Sequence, residues 1–248
     1  MIEINNIYQE DCLTTMSKMN DNFVDVVVTS PPYNIGNVRR NGHWKNKRIK
    51  YSDYSDNLKV DEYFAQTSKW IDELYRVTKH HVFYNIQEVS GNKGIINHIM
   101  SEYKDSIKHV FFWCKSNPPS SILDTGVSNG IEYIFCISKD TPSKNNFQYC
   151  NFSNHNGDYI KNLIIKPVNS DKETGNHSFA FGDWLPKHFI NYFSKEGDLI
   201  YDPFMGTGTT AKASILLKRN YIGSEISEKY LEFAEKRIYK YKTQLRMF

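Results

Sequence analysis

The chain has 248 residues, of which 40% are hydrophobic and 15% aromatic, enough to bury the core of one large domain. A net charge of +3 permits a nucleic-acid partner without arguing for one, so that case must rest on local clustering. No apolar run approaches the roughly 20 residues of a membrane helix, and residues 1–20 lack the basic start and apolar block of a secretory leader. The four cysteines, Cys12, Cys114, Cys136 and Cys150, form no C-x-x-C pair. That argues against metal and redox sites and for reduced thiols in a cytosolic protein.

A short strand is expected within residues 1–7, then a loop at Glu10-Asp11-Cys12 and a brief helix over 13–19. Val24, Val26, Val27 and Val28 form a β-branched run that reads as a buried strand. It must stop at Thr29-Ser30-Pro31-Pro32-Tyr33-Asn34, because consecutive prolines cannot donate to a sheet ladder. The result is a stiff loop at a strand's carboxyl end. It offers the Ser30 hydroxyl, carbonyls, and the face of Tyr33, a set suited to holding a planar amino group and stacking on its ring.

Periodicity vanishes over residues 37–57, where Arg39, Arg40, Lys45, Lys47, Arg48 and Lys50 are interleaved with Trp44, Tyr51 and Tyr54. Loops of this length are usually functional or disordered. This one reads either as a solvated surface loop or as a flap that closes on a phosphate backbone. A helix follows over 63–77, a strand over 82–84, a helix over 94–100, and strands over 110–114 and 131–137. Residues 139–176 are polar and read as a small excursion, not a separate domain. A helix over 185–193 starts near Pro186, which suits a first turn.

The strand at 199–201 runs into Asp202-Pro203-Phe204-Met205-Gly206-Thr207-Gly208-Thr209-Thr210 and a helix over 211–217. A strand over 221–223 ends at Glu225, and Ser227 is placed to cap a last helix. Alternating strands and helices imply a doubly wound, mostly parallel α/β sheet covered on both faces. Residues 206–211 fit G-x-G-x-x-G/A, with the acid Glu225 about 17 positions beyond Gly208. That arrangement suits a nucleoside cofactor, with the acid on the ribose, and reads otherwise as a tight strand-to-helix turn only. No lysine follows Gly208, so this is not a phosphate-binding Walker loop. Asp202 would repel a pyrophosphate but attract an ammonium group, which favours S-adenosylmethionine over NAD.

The two motifs together resemble the DNA amino-methyltransferases, and their order, with the Pro-Pro-Tyr motif first, resembles the β class. The likeness spans nearly the whole chain. Protein glutamine methyltransferases also carry a Pro-Pro-Tyr loop, but there the glycine motif comes first. The resemblance implies a seven-stranded Rossmann-like methyltransferase sheet with circularly permuted motif order, in one domain spanning residues 1–248. It implies that Ser30, Pro31, Pro32 and Tyr33 are catalytic, with S-adenosylmethionine bound by Asp202, Phe204, Gly206, Thr207, Gly208, Thr209 and Glu225. Asp11 and Cys12 are similar to the family's segment beside the adenine, although Asp11 reads equally as a helix cap. His177 and Phe179 lie in a stretch similar to a further cofactor motif, where this chain departs with Gly182-Asp183-Trp184.

The implied reaction methylates an exocyclic amino nitrogen of a flipped-out base in double-stranded DNA. Serine at the first motif position favours N4 of cytosine, with N6 of adenine as the alternative. Carbon methylation of cytosine would need a nucleophilic cysteine after a proline, and none of the four follows one. Residues 115–129 and 139–176 are candidate recognition segments. A homodimer, a cognate restriction endonuclease and a prokaryotic or phage cytoplasm fit the resemblance, and no membrane association is expected. Two readings outside the class stay open: a nicotinamide-dependent oxidoreductase and a catalytically silent DNA-binding module.

Overall fold

The computed structural model describes residues 2–35, 56–118, 126–140, 146–152, 159–168 and 182–245. Among the described residues eight strands form one sheet: β1 (Asn6–Tyr8), β2 (Val24–Thr29), β3 (Thr78–Ile86), β4 (Ile107–Lys115), β5 (Ile131–Ser138), β6 (Leu163–Lys166), β7 (Leu199–Asp202) and β8 (Asn220–Ser224). Their order is β1-β8-β7-β2-β3-β5-β4-β6. All pairings are parallel except β3–β5 and β5–β4, which are antiparallel. The sheet is doubly wound and mostly parallel, but it has eight strands where seven are expected. The extra one is β6, four residues from the polar 139–176 stretch that add to the edge beside β4.

Among the described residues six α-helices accompany the sheet: α1 (Cys12–Ser17), α2 (Val60–Val77), α3 (Ile95–Glu102), α4 (Trp184–Phe193), α5 (Thr209–Leu216) and α6 (Glu228–Leu245). β2 shows why both faces are needed. Val27 packs with Trp70, Ile71 and Leu74 of α2, whereas Val26 and Val28 pack with Phe189 and Phe193 of α4. A strand buried on both faces loses the polar alternation of a surface strand. A third cluster joins Ala211 of α5 to Ala234 and Ile238 of α6 and to Ile7.

The strand order reverses between β7 and β2. From β7 the chain winds outward to β8, and from β2 it winds the other way to β3. Open α/β sheets bind ligands in the crevice outside the carboxyl ends at such a point. Both motifs sit there. β2 ends at Thr29, before the Ser-Pro-Pro-Tyr loop, and β7 ends at Asp202, before the glycine loop.

The face under α4 depends on aromatic packing. Phe189 is fully buried and stacks on Phe83 with ring centroids 4.3 Å apart. Phe189→Ala is expected to destabilise the fold by about 3–5 kcal/mol through lost transfer energy and a residual cavity, read as a lower urea midpoint with an unchanged slope.

Candidate active site

The glycine loop is built around a buried carboxylate. Asp202 is 1% exposed. Its Oδ1 accepts from the Thr29 hydroxyl at 2.8 Å and the Phe204 amide at 3.0 Å, and its Oδ2 accepts from the Thr210 hydroxyl at 2.6 Å. Burial pushes this carboxyl up to about 6, against the lowering by Thr210, Thr29 and Phe204. The ammonium role expected for Asp202 would therefore draw on a carboxylate already engaged by three donors.

The chain leaves Asp202 through a tight turn. Gly206 and Gly208 have φ of +51° and +78°, a region that L side chains rarely adopt. A Cβ at Gly208 would also sit 3.0 Å from that of Ala234, so the glycine permits close packing of α5 on α6. At Gly206 a Cβ would meet only the Phe204 carbonyl, at 3.8 Å, which leaves space over the turn. Arg237 of α6 donates to the Thr207 carbonyl at 3.0 Å and the Thr209 hydroxyl at 3.1 Å, fixing the loop from beneath.

Glu225 follows β8. Its Oε2 accepts from the Gly206 amide and its Oε1 from the Ser227 amide, each at 2.8 Å. A carboxylate held by two backbone donors beside an open turn fits the vicinal hydroxyls of a ribose. The buried Ser227 hydroxyl makes no hydrogen bond among the described residues, so the expected side-chain cap of α6 does not form. Asp11 does cap a helix, accepting from the Leu13 amide at 2.8 Å. Cys12 is the first residue of α1, not part of a loop, and burial pushes its thiol far up. β1 and α1 are both tied to the end of β8: Thr15 of α1 accepts from the Ser224 hydroxyl at 2.9 Å, and the Tyr8 carbonyl of β1 accepts from the Glu225 amide at 3.0 Å.

The Ser-Pro-Pro-Tyr loop is held from several sides. Tyr63 of α2 donates to the Pro32 carbonyl at 2.7 Å. Asn34, at φ +59°, donates to the carbonyls of Leu58 and Gly91 and accepts from the Leu58 amide. A Cβ at Gly91 would fall 1.7 Å from the Asn34 carbonyl, so the approach of the two loops requires glycine. α2 also reaches the cofactor loop, where Trp70 meets Phe204 edge-on at 4.9 Å.

Ser30 and Tyr33 join a polar cluster in which residues unforeseen from the sequence take part. Ser30 Oγ lies 2.8 Å from Tyr33 Oη, and Tyr33 Oη donates to Glu132 Oε2 at 2.8 Å. Asn85 Nδ2 lies 2.7 Å from both Tyr33 Oη and Glu132 Oε2, and 3.2 Å from Ser30 Oγ. Lys115 pairs with Glu132 Oε1 at 2.8 Å. The only sequence signal for Asn85 and Glu132 is a polar residue inside an otherwise apolar strand. His177, Phe179 and the six basic residues Arg39, Arg40, Lys45, Lys47, Arg48 and Lys50 lie outside the described residues. Among the described residues no His/Cys/Asp/Glu group could hold a metal, and no helix is long and apolar enough to cross a membrane.

A glycine-loop nucleoside site and a Ser-Pro-Pro-Tyr loop on neighbouring parallel strands define a cofactor-dependent group-transfer enzyme of the α/β class. The chain belongs to the DNA methylase family of N6 and N4 methyltransferases, whose profile matches residues 24–236. It is 28% identical over 238 residues to the type II methyltransferase M2.MboI of Moraxella bovis, covering 94% of this chain and 86% of that protein. It is 25% identical to M.HinfI of Haemophilus influenzae, covering 95% and 68%. In fold it is similar to the cytosine-N4-specific PvuII DNA methyltransferase, with a TM-score of 0.72 at 16% identity over 98% of this chain and 93% of that one. A complex of M1.HpyAVI with S-adenosylmethionine matches with a TM-score of 0.62 at 21% identity, covering 94% and 98%. Family membership sets the nicotinamide reading aside.

The buried carboxyl has a measurable signature. The folded chain holds the Asp202 proton more tightly than the unfolded one, so this group's contribution to stability is complete below about pH 4 and lost as pH rises through about 6. Wild type should therefore lose stability relative to Asp202→Asn between those values in pH-resolved urea unfolding. A pH-independent difference would mean that Asp202 does not titrate there.

Proposed function

We propose that this chain transfers a methyl group from S-adenosylmethionine to the exocyclic amino nitrogen of a base flipped out of double-stranded DNA, with N4 of cytosine the favoured target and N6 of adenine the second reading. The observation that carries it is the hydrogen-bonded set of Ser30, Tyr33 and Glu132, whose contacts are each 2.8 Å. The Tyr33 hydroxyl spends its proton on Glu132, so the Ser30 hydroxyl donates to Tyr33 and not the reverse. That turns a Ser30 lone pair toward an incoming amino group.

When bound, S-adenosylmethionine supplies an electrophilic methyl group on sulfur. Glu225 would take its ribose, the amides of the Gly206 turn and the start of α5 its carboxylate, and Phe204, Asp11 and Cys12 are assigned to the same cofactor; His177 and Phe179 are assigned to it from the family resemblance alone. An exocyclic amino nitrogen is a poor nucleophile because its lone pair is delocalised into the ring. Accepting its hydrogens at Ser30 Oγ and at the Pro31 carbonyl localises that lone pair, and positioning does the rest. The base must leave the duplex, at a cost of a few kcal/mol, and stack on Tyr33.

Serine at the first motif position supports the cytosine reading, and the fold neighbour from the PvuII system is named as cytosine-N4-specific. We further assign residues 1–248 to one domain working in the cytoplasm. The basic 37–57 segment is its DNA flap, and residues 115–129 and 139–176 contribute to sequence recognition, completed by a second copy where a dimer forms. A restriction endonuclease of the same specificity is the expected genetic partner.

Nucleoside mass spectrometry on DNA from a methylation-free host expressing the chain should detect N4-methylcytosine. N6-methyladenine instead would retain the mechanism and overturn the base, and neither product would favour the silent module. Replacing Arg39, Arg40, Lys47 and Arg48 with alanine should weaken DNA binding and flatten its dependence on salt by roughly one unit of log–log slope per lost phosphate contact. An unchanged slope would make 37–57 a plain surface loop.

A further inference from the structure

A serine hydroxyl can hold an amino hydrogen but is a weak final base. As the nitrogen–methyl bond forms and the sulfur–methyl bond breaks, the sulfur leaves with the bonding pair as a neutral thioether. The amino nitrogen becomes positive, and one of its hydrogens must depart. The question is where that proton goes in a loop whose first residue carries no charge.

The cluster around Ser30 supplies a continuous route. Ser30 Oγ to Tyr33 Oη is 2.8 Å, and Tyr33 Oη to Glu132 Oε2 is 2.8 Å. Both are within the range for efficient O–H···O hydrogen bonds. Tyr33 donates its one hydroxyl proton to Glu132, which leaves Ser30 as the donor of the Ser30–Tyr33 contact, and an amino N–H accepted at Ser30 Oγ would extend the same direction. The two N–H groups of the Asn85 amide reach Tyr33 Oη and Glu132 Oε2, each at 2.7 Å, with Ser30 Oγ farther off at 3.2 Å, and so keep the Glu132 carboxylate and the Tyr33 oxygen in acceptor roles.

The far end of the route is a buried ion pair. The Lys115 and Glu132 side chains are 6% and 8% exposed, and Lys115 also donates to Gln87 Oε1 at 3.0 Å. A buried pair of this kind contributes little net stability, because desolvation offsets the attraction. Its location is more informative than its strength. The pair is reached from Ser30 through two hydroxyls, and Glu132 meets Tyr33 with one carboxylate oxygen, Oε2, and Lys115 with the other, Oε1.

We propose that Glu132 is the terminal acceptor of the proton released by the target amino group, and the residue that sets the direction of the Ser30–Tyr33 hydrogen bonds. The amino proton passes to Ser30 Oγ, the Ser30 proton to Tyr33 Oη, and the Tyr33 proton to Glu132 Oε2. The base ends as a neutral secondary amine, both hydroxyls are restored, and Glu132 ends as a carboxylic acid beside Lys115. It then returns its proton to solvent before the next turnover. Glu132 never touches the base; it positions and discharges Ser30 through Tyr33.

The inference rests on the amino-methylation reading, and the test separates the two. Single-turnover methyl transfer to unmethylated chromosomal DNA is measured from about pH 5 to 9 for wild type, Glu132→Gln and Tyr33→Phe, with cofactor affinity followed by calorimetry. Glutamine keeps the shape of Glu132 but cannot take a proton. Tyr33→Phe breaks the route while leaving the buried pair intact, which covers a Glu132→Gln protein that fails to fold.

Wild type should lose rate as pH falls. Both variants should be slower by about 100-fold, lack that acid limb and bind S-adenosylmethionine as wild type does. A variant within about threefold of wild type at every pH overturns the proposal. So does a slow variant that keeps the wild-type pH dependence, or one whose loss of rate is matched by loss of cofactor affinity. If wild type itself yields neither methylated base, the amino-methylation reading fails independently of Glu132.

Discussion

The hydrogen bond from Thr29 to Asp202 joins the two halves of the site across 173 residues of sequence. It is possible because β2 and β7 are adjacent and parallel, so both strands end at the same edge of the sheet. Parallel neighbours deliver their following loops to one side, and the reversal of winding between them leaves a crevice there. One loop carries Ser30, the proposed amino acceptor, and the other the glycine turn proposed to hold the cofactor. Separating the strands would separate the reactants, and methyl transfer depends on near-contact between them. The carboxylate that makes this bond is almost fully buried, and burial raises its pKa to about 6. The joint is thus polar, fully hydrogen-bonded and sensitive to protonation.

Around that joint the molecule is braced rather than left to the loops. Tyr63 and Trp70, both on α2, touch the Pro-Pro-Tyr loop and the cofactor loop respectively. They lie seven positions apart, two helical turns, and so project from the same face. One rigid helix therefore sets the spacing of both loops. From the opposite side Arg237 holds the Thr207–Thr209 backbone, and the packing of Gly208 on Ala234 leaves no slack between α5 and α6. Stabilisation of developing charge is efficient only when the dipoles are fixed beforehand, so such bracing bears directly on catalysis.

Much of this was legible in the chain itself, and the reasons are local. The valine run, the double proline and the glycine turn each restrict backbone geometry on their own, so the strand–loop and strand–turn–helix units follow without tertiary knowledge. α5 is a different case. Its residues from Thr209 to Ile215 are buried all round, which removes amphipathic periodicity, and it is found only because a glycine turn precedes it. β6 is missed because a four-residue edge strand with one buried side chain, Ile164, carries almost no apolar signal. β3 extends back through Lys79, His80 and His81, a polar stretch that joins the sheet because His81 finds Ser138 and the Tyr149 carbonyl as partners.

Asn85 and Glu132 were not legible as site residues for a related reason. Each is a lone polar residue in an apolar strand, which marks a buried partner without saying which. The pairing is set by the antiparallel register of β3 on β5, where Asn85 lies opposite Ile134 and therefore diagonal to Glu132 on the same face. A one-residue slip would send one of them to the other side of the sheet. Register also explains how a loop with an uncharged first residue can handle a proton. An acidic residue at that position would carry the charge within the loop itself. With Ser30 there, the charge must come from another strand, and β5 supplies it through the Tyr33 hydroxyl. The antiparallel strands β4 and β5 are then more than the sheet's far half. They hold the carboxylate and its lysine at a fixed distance from the Ser-Pro-Pro-Tyr loop, so the chemistry proposed for Ser30 rests on a sheet pairing that no motif encodes.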